Sequence, residues 1–346
     1  MSIIIETMRG TKTKEVPVWI MRQAGRYLPE YRKLRATLPS FMEFCLNPEA
    51  VSEATIQPLK RFNLDAAIIF SDILVLPYAL GINVEFHDKE GPQLERIQGI
   101  KGLRTDSRIL GKVNSALKIT REKMQKEFPN KALMGFAGAP WTVACYMVEG
   151  KRSRDFTNVR KFYYSNKQDF KDIISILTEE TARHLINQVK SGAQIIKIFD
   201  SWAGTLTPDL FEKFVIEPTR KIVQAIKSEV GEIPIIGFAK GAGFMTFEYA
   251  KMTEINCVAI DQTMKMSWVR ENLSQDIIPQ GNLDNALLFS GKSDIEEETM
   301  KILDTFSDRP FIFNLGHGVL PETPVESVEH LVRVIKNYKK CSKINK

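Results

Sequence analysis

Cysteine is scarce in this chain: four in 346 residues, at positions 45, 145, 257 and 341. None stands in CxxC or a comparable ligand spacing, so the four read as reduced thiols of a cytosolic protein, not as a disulfide framework or a metal cage. No HExxH or His-x-Cys occurs, no P-loop, and no GxSxG nucleophile turn. No GxGxxG follows the first strand-like run, which argues against a dinucleotide-binding open sheet. Long apolar runs are missing as well; none approaches the roughly 18 residues that would span a bilayer. The N-terminal MSIIIETMRGTKTKE has too short an apolar stretch, broken by Glu6, to read as a secretory signal. There is no large block of one charge sign either. The 48 basic and 42 acidic residues are interspersed, apart from a basic tail over 340–346 that reads as a solvated end. A net charge of +6 and a pI near 9.0 then fit an acidic small-molecule substrate, with neither nucleic acid nor membrane as partner.

What is present is ample core and a recurring pattern. Hydrophobic residues make up 43% and the mean hydropathy is −0.18. Near-continuous apolar runs, each closing in a polar or Gly-rich turn, recur at 64–72, 132–140, 194–202, 233–243, 257–262, 277–284 and 310–318. Runs of this kind suit strands buried on both faces, as in a parallel sheet. Helical patterns lie between them. Asn47-Pro48, Thr207-Pro208 and Thr323-Pro324 each place a capping residue before a proline at the first helical position. The stretch 168–190 carries apolar residues at helical spacing, with Gly192 as its stop. Strand–helix alternation without a dinucleotide fingerprint predicts a closed (β/α)8 barrel in one domain over 1–346, the eighth strand being Val16–Met21 or a piece of 84–97. Residues 84–97 are expected to form a hairpin insertion turning at Glu90-Gly91-Pro92.

The chemistry concentrates in PVWIMRQAGRYLPEYRKLR, residues 17–35. Arg22 and Arg26 stand four apart, separated by Gln23, Ala24 and Gly25. Arginine grips carboxylates through paired hydrogen bonds and stays charged near neutrality. Small residues leave backbone N–H groups open to an anion. The cradle reading competes with a simpler one, in which both arginines pair with acidic neighbours on a helix surface. Barrel enzymes place working groups where strands end, and those positions supply Asp72, Tyr146, Asp200, Ser201, Lys240 and His317. Asp72 either enters a low-dielectric mouth or caps a helical turn, and Tyr146 is either a mouth residue or core. Lys240 is a solvated loop lysine or, if desolvated, a Schiff-base former. The glycines around His317 are expected to expose it. With no metal cage or nucleophile turn, any chemistry must run on electrostatics and proton transfer.

Four strings in order, PVWIMRQAGRYLPEYR, FSDILVLPYALG, YMVEG and NLGHGVLPETP, closely resemble the uroporphyrinogen decarboxylase family, and the likeness runs essentially end to end. The resemblance implies a cytosolic, homodimeric, distorted (β/α)8 barrel of haem and tetrapyrrole biosynthesis. Such enzymes convert the four acetate side chains of uroporphyrinogen III to methyl groups, giving coproporphyrinogen III and CO2 without cofactor or metal. It also implies site roles, residue by residue. Arg22 and Arg26 match the carboxylate-gripping arginines, Gln23 and Ala24 further contacts beside Gly25, and Arg35 another basic contact. Asp72 matches the central aspartate, Tyr146 the tyrosine, Ser201 a hydroxyl contact and His317 the histidine of NLGHG. Corrinoid-dependent methyltransferases, which hold zinc by His and Cys, share this barrel family and are the enzymatic rival. A non-catalytic tetrapyrrole carrier is the rival from outside enzymology.

Overall fold

The computed structural model describes residues 2–87 and 91–338. In chain order its strands are β1 (Ala66–Ile68), β2 (Val84–His87), β3 (Gly91–Leu94), β4 (Ala132–Gly138), β5 (Ile195–Asp200), β6 (Ile235–Ala239), β7 (Cys257–Ala259), β8 (Ile278–Leu283) and β9 (Ile312–Leu315). Seven of them, in the order β1-β4-β5-β6-β7-β8-β9, form one sheet with every neighbour parallel. Each lies within one of the seven apolar runs, and helices separate them to give an α/β barrel.

The seam between β9 and β1 is closed by Val16–Met21, though not as a full strand. Val18 makes a single parallel bridge to Phe313, and the Phe313 N–H donates to the Pro17 carbonyl at 2.9 Å. On the other side the Asp65 N–H donates to the Val18 carbonyl at 2.8 Å, while the Val18 N–H donates to Asp65 Oδ2 at 2.8 Å. A carboxylate replaces one rung of the ladder, so the eighth position is irregular. The alternative eighth strand, within 84–97, instead forms the separate antiparallel pair β2–β3. Gly91 and Pro92 do not turn there. They sit in β3 opposite His87 and Phe86, and Glu90 lies outside the described residues, as does the basic tail 340–346.

Alternation along each strand separates two cores. Along β5, Ile195, Lys197 and Phe199 point into the barrel, whereas Ile196, Ile198 and Asp200 face the helices. Ile195 and Phe199 pack with Trp19, Met134, Ile236, Phe238 and Ile312 inside, and Ile196 and Ile198 join the larger outer core. Lys197 is buried in this interior, its Nζ 4.7 Å from the Trp19 ring centre and 4.9 Å from that of Phe199. Burial pushes its amine down to about 7. The indole N–H of Trp19 donates to Gln280 Oε1 at 2.9 Å, tying the seam segment to β8.

Of the three expected helix starts, one carries its predicted side-chain cap. Asn47 accepts from the Ala50 N–H at 3.0 Å, with Pro48 opening the helix. Pro208 opens its helix without a bond from the Thr207 side chain. Pro324 is the cap itself, since the last helix is Val325–Asn337. The predicted stretch 168–190 is the helix Lys167–Lys190, and Gly192 follows at φ +114°, a backbone region glycine enters without strain. No helix among the described residues is long and apolar enough to cross a membrane.

Candidate active site

The seam segment ends in a tight turn that carries Arg22. The Gln23 N–H donates to the Ile20 carbonyl at 2.9 Å, and Arg22 sits at φ +63°, in the left-handed region. For a residue other than glycine this costs on the order of 1 kcal/mol, and two tethers hold it. The Met21 N–H donates to Asn314 Oδ1 at 2.9 Å, and the Val319 N–H donates to the Met21 carbonyl at 3.0 Å. The arginine turn is thereby clipped to the chain on both sides of His317. Gly316 and Gly318 do less to expose that histidine than to admit neighbours. A β-carbon on Gly316 would overlap the Gln262 backbone, and one on Gly318 would overlap the Arg22 side chain.

Gln23 is 1% exposed, and its side chain is spent inside the protein. Oε1 accepts from the Ile20 N–H and Nε2 donates to the Ala66 carbonyl, so it shapes the turn and ties it to β1. Ala24 and Gly25 are half-buried, and among the described residues their N–H groups have no protein acceptor. Arg22 and Arg26 are exposed, lie outside any helix and join no ion pair among the described residues. Their pairing with acidic neighbours on a helix surface is therefore not what the fold contains. Arg35 ends the helix Pro29–Arg35, donating to the Leu38 carbonyl at 2.7 Å. Its charge, like that of Arg26, acts on Tyr31, which also feels Asp72.

Asp72 follows β1 at the floor of the mouth. Oδ1 accepts from the Leu74 N–H at 2.9 Å, two residues on in the turn before the helix Val75–Ala79, while Oδ2 takes no hydrogen bond among the described residues. That helix itself starts from Leu74 with no side-chain cap, so the Asp72 bond closes the turn ahead of it. Burial raises its pKa, opposed by the Leu74 N–H and the charge of Arg22. Tyr146 lies on the helix Pro140–Glu149, half-buried, with its ring 6.2 Å from that of Trp202. Burial first, then the nearby Asp72, push its hydroxyl up to about 12. His317 is held down to about 3 by burial and by the charges of Arg22, Lys240 and Arg152, so it is a neutral imidazole at working pH. Its Nδ1 is buried without a partner among the described residues.

Arg22, Asp72, Tyr146 and His317, scattered from residue 22 to residue 317, lie within electrostatic reach of one another: the charge of Arg22 acts on the other three, and that of Asp72 on Tyr146. Ser201 is half-exposed directly after β5. Asp200, one residue earlier, faces the opposite way: fully buried, it accepts from Thr142 Oγ1 at 2.5 Å behind the sheet.

Three further residues, passed over or weighed only as a loop lysine or Schiff-base former in the strand-end reading, act by their charge on this group. Lys240 is half-buried, its pKa lowered by burial and by Arg152 and Arg22 against the pull of Asp261. Asp261 follows β7 by two residues and is consumed structurally, accepting from the Gly241 N–H at 2.6 Å and the Thr263 N–H at 2.9 Å. Arg152 reaches in from the loop after the Tyr146 helix. No local pattern marks it, and its neighbour Lys151 disguises it as part of a solvated charge pair. Among the described residues no three His, Cys, Asp or Glu side chains converge as a metal would require. Arg22, Arg152 and Lys240 thus supply the positive charge felt around His317, while Asp72 Oδ2 takes no hydrogen bond among the described residues.

A family model described as uroporphyrinogen decarboxylase matches residues 1–338. A protein named uroporphyrinogen decarboxylase from Rickettsia rickettsii (strain Sheila Smith) is 46% identical over 344 residues, covering 98% of this chain and 97% of that protein. One of the same name from Rickettsia bellii (strain RML369-C) is 48% identical over 326 residues, with 93% and 95% covered. Among solved structures, a methyltransferase from Methanosarcina mazei superposes with a TM-score of 0.79 at 20% identity, covering 96% of each chain. That last likeness speaks to the fold.

Proposed function

Because the chain belongs to the uroporphyrinogen decarboxylase family, we propose that it removes CO2 from the four acetate side chains of uroporphyrinogen III to give coproporphyrinogen III, with no cofactor. What supports this reading is that Arg22, in no ion pair among the described residues, acts by its charge on the buried Asp72, whose Oδ2 takes no hydrogen bond there. The substrate is a flexible macrocycle bearing eight carboxylates around four inward pyrrole N–H groups. A positive rim raises its local concentration and pairs with its arms. The unshared Asp72 oxygen is suited to accept from the pyrrole N–H groups at the ring's centre.

Decarboxylation needs an electron sink, and the substrate contains one. Protonation of a pyrrole ring carbon gives a cation. The bond to the acetate carboxylate then breaks, CO2 leaves, and its electron pair flows into the ring. A proton added to the exocyclic carbon and one lost from the ring complete the methyl group. Asp72 stabilises the cation electrostatically, and the half-buried site strengthens that interaction. Arg22 and Arg26, with the N–H groups of Ala24 and Gly25, hold the reacting acetate and its neighbours, and Arg35 binds a further carboxylate. Tyr146, protonated throughout the working range, donates a hydrogen bond, as Ser201 can. Neutral His317 positions a carboxylate or a pyrrole without adding charge.

The deciding experiment is anaerobic incubation of the protein with uroporphyrinogen III and chromatographic separation of the products. Stepwise loss of carboxyl groups is expected; a carrier would return its ligand unchanged. Metal analysis separates the methyltransferase rival, for which stoichiometric zinc would speak. We also place the protein in the cytoplasm as a single-domain homodimer. The buried, unpaired Cys45, Cys145 and Cys257 support a reducing compartment, and sedimentation would test the dimer.

A further inference from the structure

Arg152 stands out among the basic residues of the mouth because its own loop is fastened on both sides. Gly150, at φ +77°, accepts through its carbonyl from the Leu94 N–H at 2.7 Å, and Lys151 makes an antiparallel bridge to Gln93. A β-carbon on Gly150 would stand 2.7 Å from Arg96 Cγ, so the hairpin β2–β3 is pressed against this turn. Arg96 itself donates to the Glu149 carbonyl at 2.8 Å. Beyond Arg152, the buried Glu149 carboxylate accepts from the Asn158 N–H at 2.8 Å and the Val159 N–H at 3.2 Å, fixing the start of the next helix. A solvated surface arginine needs no such anchoring.

The guanidinium lies over the Trp202 ring, 5.7 Å from its centre, and Trp202 is in turn packed by Phe156 at 4.6 Å and Tyr146 at 6.2 Å. Stacking on an indole uses the face of the guanidinium and leaves its in-plane N–H donors free. Arg152 is exposed, and among the described residues it makes no ion pair and donates to no acceptor. Its charge is felt at Tyr146, Lys240 and His317, which lie after β4, β6 and β9 respectively. It therefore presents unspent donors over the mouth, on a rigid base, on the side of β4 and β5. The ligand supplies more carboxylates than Arg22, Arg26 and Arg35 can pair one to one.

We infer that Arg152 is a further substrate-binding residue, gripping a side-chain carboxylate of the macrocycle above Trp202. The inference rests on the proposed decarboxylase reading. Steady-state kinetics with uroporphyrinogen III test it on wild type, Arg152→Ala and Arg152→Lys. Removing a charge-assisted hydrogen-bonded contact should raise KM about 10-fold, with kcat kept within about 2-fold. Arg152→Lys keeps the charge but not the fork, and should fall between the two. Wild-type turnover with an unchanged KM in Arg152→Ala overturns the inference and leaves the decarboxylase reading standing. A fall in kcat alone also overturns it, because Arg152 would then act only by holding Trp202 against Tyr146. Absence of turnover in wild type defeats the decarboxylase reading instead.

Discussion

The side chain of Arg22 lies across the bare Cα of Gly318, where a β-carbon would come within 2.6 Å of Arg22 Cγ and 3.0 Å of its Nε. Residues 22 and 318 belong to opposite ends of the chain, yet the arginine has its place only because the glycine has no side chain.

Gly318→Ala should therefore act on function more than on folding. Gly318 does not have a left-handed φ, so alanine meets no backbone penalty. The arginine must move instead. Displacing a positioned group by about 1 Å costs up to about 100-fold in rate, so kcat/KM should fall by about 10- to 100-fold with the melting temperature nearly unchanged. Activity close to wild type would show that Arg22 is not held for the substrate.

Asp72→Asn keeps the Leu74 bond through its amide oxygen but removes the negative charge. If that charge steadies a cation formed only during reaction, kcat should drop by about 100-fold or more, while KM changes by less than about 3-fold. Equal losses in both would make Asp72 a plain binding surface.

Mild acid should destabilise the fold through His184. Gln188 pairs with both backbone groups of Phe136, its Oε1 accepting from the N–H and its Nε2 donating to the carbonyl, each at 2.8 Å. That fixes Nε2 as a donor, so the His184 Nε2 at 2.8 Å from it must accept. An imidazolium cannot, and burial holds the ring down to about 4. Between about 4 and 6.5 the unfolded chain binds a proton that the folded chain refuses. Stability is complete above the unfolded value and drains as pH falls through that window, by about 1.4 kcal/mol per pH unit for each such histidine. His317, held down to about 3, adds to the slope. Urea midpoints measured from pH 7 to 4.5 should fall, and fall less steeply in His184→Gln.

At the barrel's other end, Asp65 accepts from Lys336 Nζ at 2.6 and 2.8 Å and from the Val18 N–H at 2.8 Å. Asp65 is 4% and Lys336 12% exposed by side chain, so removing Lys336 leaves the buried carboxylate with only the longer contact to Lys131 Nζ at 3.4 Å as its cation among the described residues. Lys336→Met should lower stability by about 3 kcal/mol in urea unfolding without altering KM, since the pair is remote from the mouth. A change in KM with unaltered stability would refute this division of labour.

The chain's local chemistry determined a good deal by itself. Seven apolar runs long enough to be buried on both faces became seven parallel strands, and Asn47-Pro48 began its helix where capping requires. The PVWIMRQAGRYLPEYR and NLGHG strings announced the family. Local patterns did not reveal that Gln23 turns inward to bond Ala66, nor that Asp200 is buried against Thr142 on the helix side of the sheet. Strand alternation reverses direction at every residue, and only the pairing says which face is which. Nor could they show that Val16–Met21 closes the barrel through the carboxylate of Asp65, or that the charges of Arg152 and Lys240 reach His317. Those facts depend on distances between residues tens to hundreds of positions apart. Folding of the whole ring brings them together, and no run of neighbouring letters encodes that separation.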